Sequence, residues 1–132
     1  MGVAYAWRGA FTDPDLNALH AEGFVHPAQD VGWKDRVERH SLGWVCAYAG
    51  RRLVGFVNVA WDGGVHAFVV DTLVAADARR QGIGTGLIEV ATREARAAGC
   101  EWLHVDFEGD LRGFYFEACG FAPTPAGLIA LR

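Results

Sequence analysis

The chain has 132 residues, 52% of them hydrophobic, and a formal net charge of -4 at pH 7. This length and composition predict a single folded domain over residues 1–132 and exclude a disordered chain. Because basic residues cluster no further than the pairs Arg51-Arg52 and Arg79-Arg80, nucleic-acid binding is not expected. The sequence has neither a signal-peptide pattern nor a membrane-span pattern, which predicts a cytoplasmic protein that engages no membrane.

Metal and nucleophile motifs are also missing from the sequence. Cys46, Cys100 and Cys119 are odd in number and lack C-x-x-C spacing, so we expect neither a metal site nor a disulfide framework. The only serine, Ser41, lies in no G-x-S-x-G pattern, and the five histidines lack H-E-x-x-H spacing. These observations argue against a hydrolase or a metalloenzyme.

The first half of the chain predicts helices followed by a β-hairpin. Cap and turn residues fix the helix start, and alternating apolar residues indicate the strands. The second helix is polar on most faces, so it is either a loosely held lid or a plain connector. In chain order the elements are a strand over 3–8, a helix from Thr12 or Asp13 to near Gly23, a helix over 33–40, and strands over 44–48 and 53–61.

The second half predicts a strand, a helix and a second strand. The strand over 65–74 is largely apolar and is expected to be central and covered on both faces. Because a helix connects them, the strands over 65–74 and 102–107 should be parallel. The remaining elements are a helix from 83 to Gly99, a helix over 111–119 and an extended segment over 128–131.

A glycine-rich loop joins that strand to its helix and reads Arg79-Arg80-Gln81-Gly82-Ile83-Gly84-Thr85-Gly86. Glycines allow the backbone to approach a ligand closely, and the free N–H groups of a new helix attract an anion. The dinucleotide fingerprint fails because Leu87 stands where its third glycine belongs, and a Walker loop fails because the only lysine is Lys34. The loop therefore predicts a phosphate site of another kind.

Two sequence motifs resemble those of the GNAT N-acetyltransferase superfamily. Arg79, Gly82 and Gly84 match the fixed positions of its R-x-x-G-x-G acyl-coenzyme A signature. The segment 114–121, Phe-Tyr-Phe-Glu-Ala-Cys-Gly-Phe, resembles its second motif, F-Y-x-x-x-G-F, with one residue more between Tyr115 and Gly120. The resemblance covers residues 65–121. It implies an α/β (α+β) fold: a mixed, mostly antiparallel sheet with a parallel splayed strand pair and helices on both faces.

The resemblance also implies acetyl-coenzyme A as cofactor. Its pantetheine arm would pair with the backbone around Leu73 and Val74, and its diphosphate would contact the glycine loop. Tyr115 would act as general acid and protonate the leaving thiolate. The implied cofactor-binding residues are Leu73, Val74, Arg79, Gln81, Gly82, Ile83, Gly84 and Thr85.

Candidate bases come from polar residues in the two parallel strands. His104, Asp106 and Glu108 share one face by alternation, and His66 and Asp71 interrupt the preceding strand. We rank Asp106 and Glu108 first, then His104, Asp71 and His66, and a base acting through water remains open. Many family members carry an asparagine at the position of Glu108, and that asparagine contacts the cofactor arm. A carboxylate cannot donate the same hydrogen bond. Either another group contacts the arm here, or Glu108 binds the acceptor.

The predicted function is transfer of an acetyl group from acetyl-coenzyme A to a primary amine of a small molecule or peptide. The alternative is a non-catalytic sensor or regulatory module that binds acyl-coenzyme A. No motif identifies the acceptor. The resemblance also allows a homodimer, because family members often pair through C-terminal strands, and the alanine and arginine content is typical of a bacterial source.

Overall fold

The computed structural model describes residues 2–132, which form one five-stranded sheet with helices on both faces. The strands lie in the order β1-β2-β3-β4-β5, antiparallel except for the parallel pair β4 and β5. This arrangement confirms the predicted fold class. The elements are β1 (Ala4–Trp7), α1 (Asp13–Phe24), α2 (Trp33–His40), β2 (Ser41–Ala49), β3 (Arg52–Trp61), β4 (His66–Val74), α3 (Ile83–Ala97) and β5 (Trp102–His104).

Neighbouring residues of β3 show which helices cover each face of the sheet. A Cβ at Gly55 would lie 3.0 Å from Ile83 of α3. Phe56, the next residue, points to the other face, where its ring meets those of Phe11 and Trp33 edge to face. Helix α3 therefore covers one face, and α1 with α2 covers the other.

A buried asparagine anchors α2 to α1. The Asn17 side chain donates a hydrogen bond to the Val31 carbonyl at 3.0 Å and accepts one from the Trp33 indole at 3.1 Å. Trp33 and Val37 of α2 are both buried in the core. The prediction of a loosely held helix over 33–40 is therefore wrong, because two apolar anchors and one buried amide suffice to fix so short an element.

The strand predicted to be covered on both faces is half open. Phe68 is 39% exposed and Val70 36% exposed, because the contacts of α1 with β4 lie further along the strand, at Asp71 and Leu73. Strand β5 is also shorter than the predicted 102–107.

The C-terminal part differs from the predicted helix over 111–119. It consists of a 3-10 turn, Gly109–Leu111, and a π-helix, Gly113–Ala118. Residues 122–132 have no regular secondary structure, so the segment 128–131 joins no strand. Within residues 2–132, no helix is long and apolar enough to cross a membrane.

A close approach at Gly43 tests the packing of β1 on β2. A Cβ at this position would overlap the Trp7 ring. We expect Gly43→Ala to lower the free energy of unfolding by ~1–3 kcal/mol, although alanine is normally more favourable than glycine in a strand. Urea denaturation measures the change. Gly109→Ala, whose Cβ would meet nothing within 4 Å, is the control; equal stability of the two variants would contradict this packing.

Candidate active site

The parallel strands β4 and β5 separate halfway along β4. Their ladder runs only from the pair His66 and Trp102 to the pair Phe68 and His104. Between the β3 partners Asn58 and Phe56, β4 holds one extra residue, and Asp71 within it has a φ of 54°. Such a bulge bends a strand and increases its twist. The bend leaves a gap between the C-terminal half of β4 and the segment after β5.

Alternating backbone groups of β4 line this gap. The Ala75 N–H donates to the Val54 carbonyl at 2.8 Å, so Ala75 and Leu73 direct their backbone groups toward β3. Val74 and Thr72 consequently direct theirs into the gap. The Val74 carbonyl accepts a hydrogen bond from Arg79 Nε at 3.4 Å. Of the predicted pair, Val74 offers its backbone to the gap, and Leu73 packs its side chain against α1 at Gly23.

Helix α3 begins beside the end of β4 with no side-chain cap. Its N-cap, Gly82, has a φ of 77°, and Arg80 before it has a φ of 66°. The first helical bond is donated by Gly86 to the Gly82 carbonyl at 3.0 Å. The amides of Ile83, Gly84 and Thr85 thus have no acceptor within the helix. Together with exposed Arg79, Arg80 and Gln81, these amides and the helix dipole suit an anion.

Two of the three loop glycines serve packing rather than ligand access. A Cβ at Gly84 would lie 3.0 Å from the Phe114 ring, and a Cβ at Gly86 would overlap the Tyr5 ring. Only Gly82 needs glycine for its left-handed backbone. Sequence reasoning assigned all three to ligand approach, because the rings that fill the space come from distant parts of the chain.

Tyr115 lies in the π-helix with its phenol directed at β4. Its ring is 5% exposed, stacks on Phe107 at 4.7 Å and meets Phe114 edge to face at the same distance. Burial raises the pKa of this phenol, and an interaction with the Thr72 hydroxyl opposes the rise in part. Tyr115 therefore holds its proton at neutral pH, as a general acid must.

Asp106 and Glu108 lie on the opposite side of the gap from β4. Exposed and packed residues alternate from 102 to 108, so both carboxylates face outward while Val105 and Phe107 pack against the core. Asp106 is close enough to Tyr115 for its charge to contribute to the raised pKa of the phenol. Glu108 begins the 3-10 turn, and its carbonyl accepts a hydrogen bond from the Leu111 N–H at 2.9 Å.

The three lower-ranked base candidates separate into two groups. His66 and His104 face each other across the paired part of β4 and β5, with ring nitrogens 2.8 Å apart. Asp71 lies at the bulge, and its Oδ1 is 3.3 Å from His20 Nε2 of α1. His20 in turn contacts His26. Sequence reasoning missed both histidines, because no spacing within the chain signals a contact between residues 51 positions apart.

Two surface cavities lie apart from these side chains. One of about 490 Å³ is lined by residues that include Arg8, Lys34 and Trp44. Another of about 310 Å³ lies between α1 and the end of β4, at Glu22 and Ala75. Neither of these two cavities is lined by Tyr115, Asp106 or Glu108.

A splayed parallel pair, an uncapped helix start and a buried tyrosine define the class of α/β acyl-transfer folds that the sequence resembles. The sequence model of the acetyltransferase (GNAT) family matches residues 6–121. The chain belongs to this family, whose activity is acetyl transfer. No curated protein has a sequence that matches the chain significantly.

Solved structures support the same fold. A GNAT family acetyltransferase of Streptococcus pneumoniae has a TM-score of 0.80 at 23% identity, over 99% of this chain and 98% of that one. A ribosomal-protein-alanine N-acetyltransferase of Brucella melitensis has a TM-score of 0.77 at 20% identity, over 99% and 100%. AAC(6')-Iy, in complex with the bisubstrate analogue CoA-S-monomethyl-acetylneamine, has a TM-score of 0.80 at 16% identity, over 100% and 99%.

Charge reversal beside the start of α3 tests the anion site. We expect Arg79→Glu to weaken binding of coenzyme A by roughly 10- to 100-fold, which corresponds to the ~1.5–3 kcal/mol of a charged hydrogen bond. Calorimetric titration measures the affinity. Arg93→Glu is a matched control, because Arg93 is also exposed and lies about 15 Å along the same helix from its start. Equal loss in both variants would mean that only the overall charge matters.

Proposed function

We propose that residues 1–132 form one acetyltransferase domain that moves the acetyl group of acetyl-coenzyme A to a primary amine of a small molecule or peptide. The observation that carries this proposal is the gap between β4 and β5, with the uncapped start of α3 at one end and the buried phenol of Tyr115 on its wall. Membership of the acetyltransferase family supports it independently.

The residues around the gap fit the two polar parts of the donor. The open edge of β4 at Val74 suits the amides of a pantetheine arm, which would lie along it as a further strand, with Leu73 fixing the strand against α1. The start of α3 suits a diphosphate. Proposed donors to the diphosphate are the side chains of Arg79 and Gln81 and the backbone amides of Gly82, Ile83, Gly84 and Thr85.

Acetyl transfer to an ammonium group removes two protons from its nitrogen. The acceptor ammonium first loses one proton, and its nitrogen then forms a bond to the thioester carbonyl carbon. When the carbon–sulfur bond breaks, the thiolate takes a proton, which Tyr115 supplies in this proposal; the phenolate regains it from the nitrogen of the product. Each cycle thus yields one amide, one thiol and one proton released to solvent.

Asp106 and Glu108 are proposed to act on the acceptor side. Both carboxylates are exposed at the edge of the gap and would attract an ammonium group, in agreement with the net charge of -4. Either one can accept the first proton through a water molecule. The names of two fold neighbours cite different acceptors, a neamine derivative and a ribosomal-protein alanine, so the fold itself does not select one.

The alternative remains a sensor or regulatory module that binds acyl-coenzyme A without turnover. The observation that favours it is Glu108, which replaces the asparagine found at this place in many family members and cannot donate the same hydrogen bond. Acetylation of any amine in a panel of polyamines, aminoglycosides and peptides, detected by release of free thiol, distinguishes the enzyme from the sensor. A folded protein that binds the donor and returns it unchanged would support the sensor.

Removal of one hydroxyl tests the general acid. We expect Tyr115→Phe to lower kcat on the order of 10²-fold, because the thiolate loses its proton donor while the ring still packs on Phe107. Binding of coenzyme A, measured by calorimetry, should stay within about threefold of the wild type.

Tyr5→Phe is the matched control for this variant, since it removes a phenol hydroxyl that lies against α3 at Gly86, away from the gap. We expect its kcat to equal that of the wild type. Undiminished turnover in Tyr115→Phe would remove this residue from the mechanism.

A further inference from the structure

Three titratable side chains form a line on the α1 side of the β4 bulge. Asp71 Oδ1 lies 3.3 Å from His20 Nε2, and His20 Nδ1 lies 2.8 Å from His26 Nε2. The line ends at the Pro27 carbonyl, 2.6 Å from His26 Nδ1. Its two outer groups are an ionised carboxylate and a backbone carbonyl, and each of these can only accept a hydrogen bond.

The number of protons in this line is constrained by its geometry. There are three contacts, and each needs one proton between its two atoms. Two neutral imidazole rings carry only two ring N–H groups, so one of the three contacts stays empty. One additional proton fills all three contacts. The line therefore has a place for one further proton, and the tautomers of the two rings determine which contact is empty.

The surroundings hold the line in place and leave its outer end near solvent. The His20 ring packs against Phe24 at 4.6 Å and Trp33 at 5.2 Å, and its side chain is 19% exposed. Residues 27–30, after His26, are exposed. The charged group that α2 contributes nearby is Arg36, whose guanidinium lies 4.8 Å from the Trp33 ring.

The inner end of the line reaches the candidate active site. Asp71 directly precedes Thr72, whose hydroxyl interacts with the Tyr115 phenol. The two residues point to opposite faces of β4, since Asp71 contacts α1 and Thr72 contacts the π-helix. An amine at the open edge of β4 would therefore lie between a proton donor on one face and the end of this line on the other.

We propose that Asp71, His20 and His26 form a proton relay that takes one proton from the acceptor ammonium and delivers it toward solvent beside residues 27–30. This inference rests on the proposed acetyl transfer. The ammonium N–H bond breaks, and its proton fills the empty contact between Asp71 and His20. The proton between the rings then passes from His20 Nδ1 to His26 Nε2, and His26 Nδ1 releases its proton to water. The line returns to its starting state when both rings change tautomer by exchanging protons with water. No oxidation or other reactant is involved, and Asp106 and Glu108 then serve to attract the ammonium.

The first test observes the protons directly and needs no turnover. Long-range ¹H–¹⁵N spectra of the histidine rings report which nitrogens carry a proton. At a fixed pH the spectra show which ring nitrogens of His20 and His26 carry a proton. We expect Asp71→Asn to change that distribution, because the amide can donate to His20 Nε2 where an ionised carboxylate only accepts. An identical distribution in both proteins would overturn the relay.

The second test separates the relay from a purely structural contact. In His20→Gln we expect kcat/KM to fall on the order of 10²-fold near neutral pH and to recover as the pH rises, since an amine already neutral in solution needs no base. His40→Gln, at the exposed end of α2, is the matched control and should behave as the wild type. His26→Gln should give a smaller loss with the same pH dependence.

The outcomes distinguish the relay from the proposed function. Failure of the wild-type protein to acetylate any amine would remove the proposed function and the relay's role with it. An active wild-type enzyme with an unaffected His20→Gln variant, or with an equal loss at every pH, would overturn the relay alone. The relay alone would also be overturned if Asp106→Asn or Glu108→Gln, rather than His20→Gln, shows the loss of kcat/KM that recovers at high pH.

Discussion

One additional residue in β4 determines most of the geometry at the candidate site. Phe56 and Asn58 of β3 pair with Leu73 and Val70, so three residues of β3 lie opposite four residues of β4, and Asp71 accommodates the extra residue with a left-handed backbone. This conformation costs energy for a residue with a side chain, so the surrounding contacts must hold it. The contact of Asp71 with His20 and the burial of Leu73 lie on either side of Thr72 and fix the strand there. The gap beside β5 is the consequence.

The candidate acid, Tyr115, and the candidate anion site at the start of α3 are parts of one packed unit. Phe114 lies against Gly84 at the start of α3, and the same ring meets Tyr115 edge to face. A π-helix positions them: the Cys119 N–H bonds to the Phe114 carbonyl five residues earlier, at 2.9 Å. Such a turn is rare and is frequently found at functional sites. Displacement of Phe114 would therefore disturb the helix start and the phenol together.

Sequence reasoning succeeded where the signal is local. Caps and turns predict where two helices begin, at Thr12 and at the glycine loop, and they predict the hairpin. The order of elements predicts the parallel pair. The two motifs indicated the family that the comparison confirms. It failed where the answer depends on distant residues. The bulge at Asp71, the anchoring of α2 by Asn17 and the rings that require Gly84 and Gly86 each involve contacts that no spacing within a segment reveals. The roles assigned to Tyr115, Asp106 and Glu108 remain predictions.

The bulge in β4 also allows one strand to contact a proposed acid on one face and a proposed base on the other. The proposed acid and the proposed relay must approach the reacting amine from different directions if both are to act on it. In β4, Thr72 and Asp71 are adjacent in sequence but face opposite layers, so the Tyr115 phenol and the His20 ring have the strand between them. Only a group at the open edge of the strand can approach both. In the proposed mechanism, the backbone of β4 would thus separate the proton donor, Tyr115, from the relay that takes a proton, and the reacting amine would connect the two.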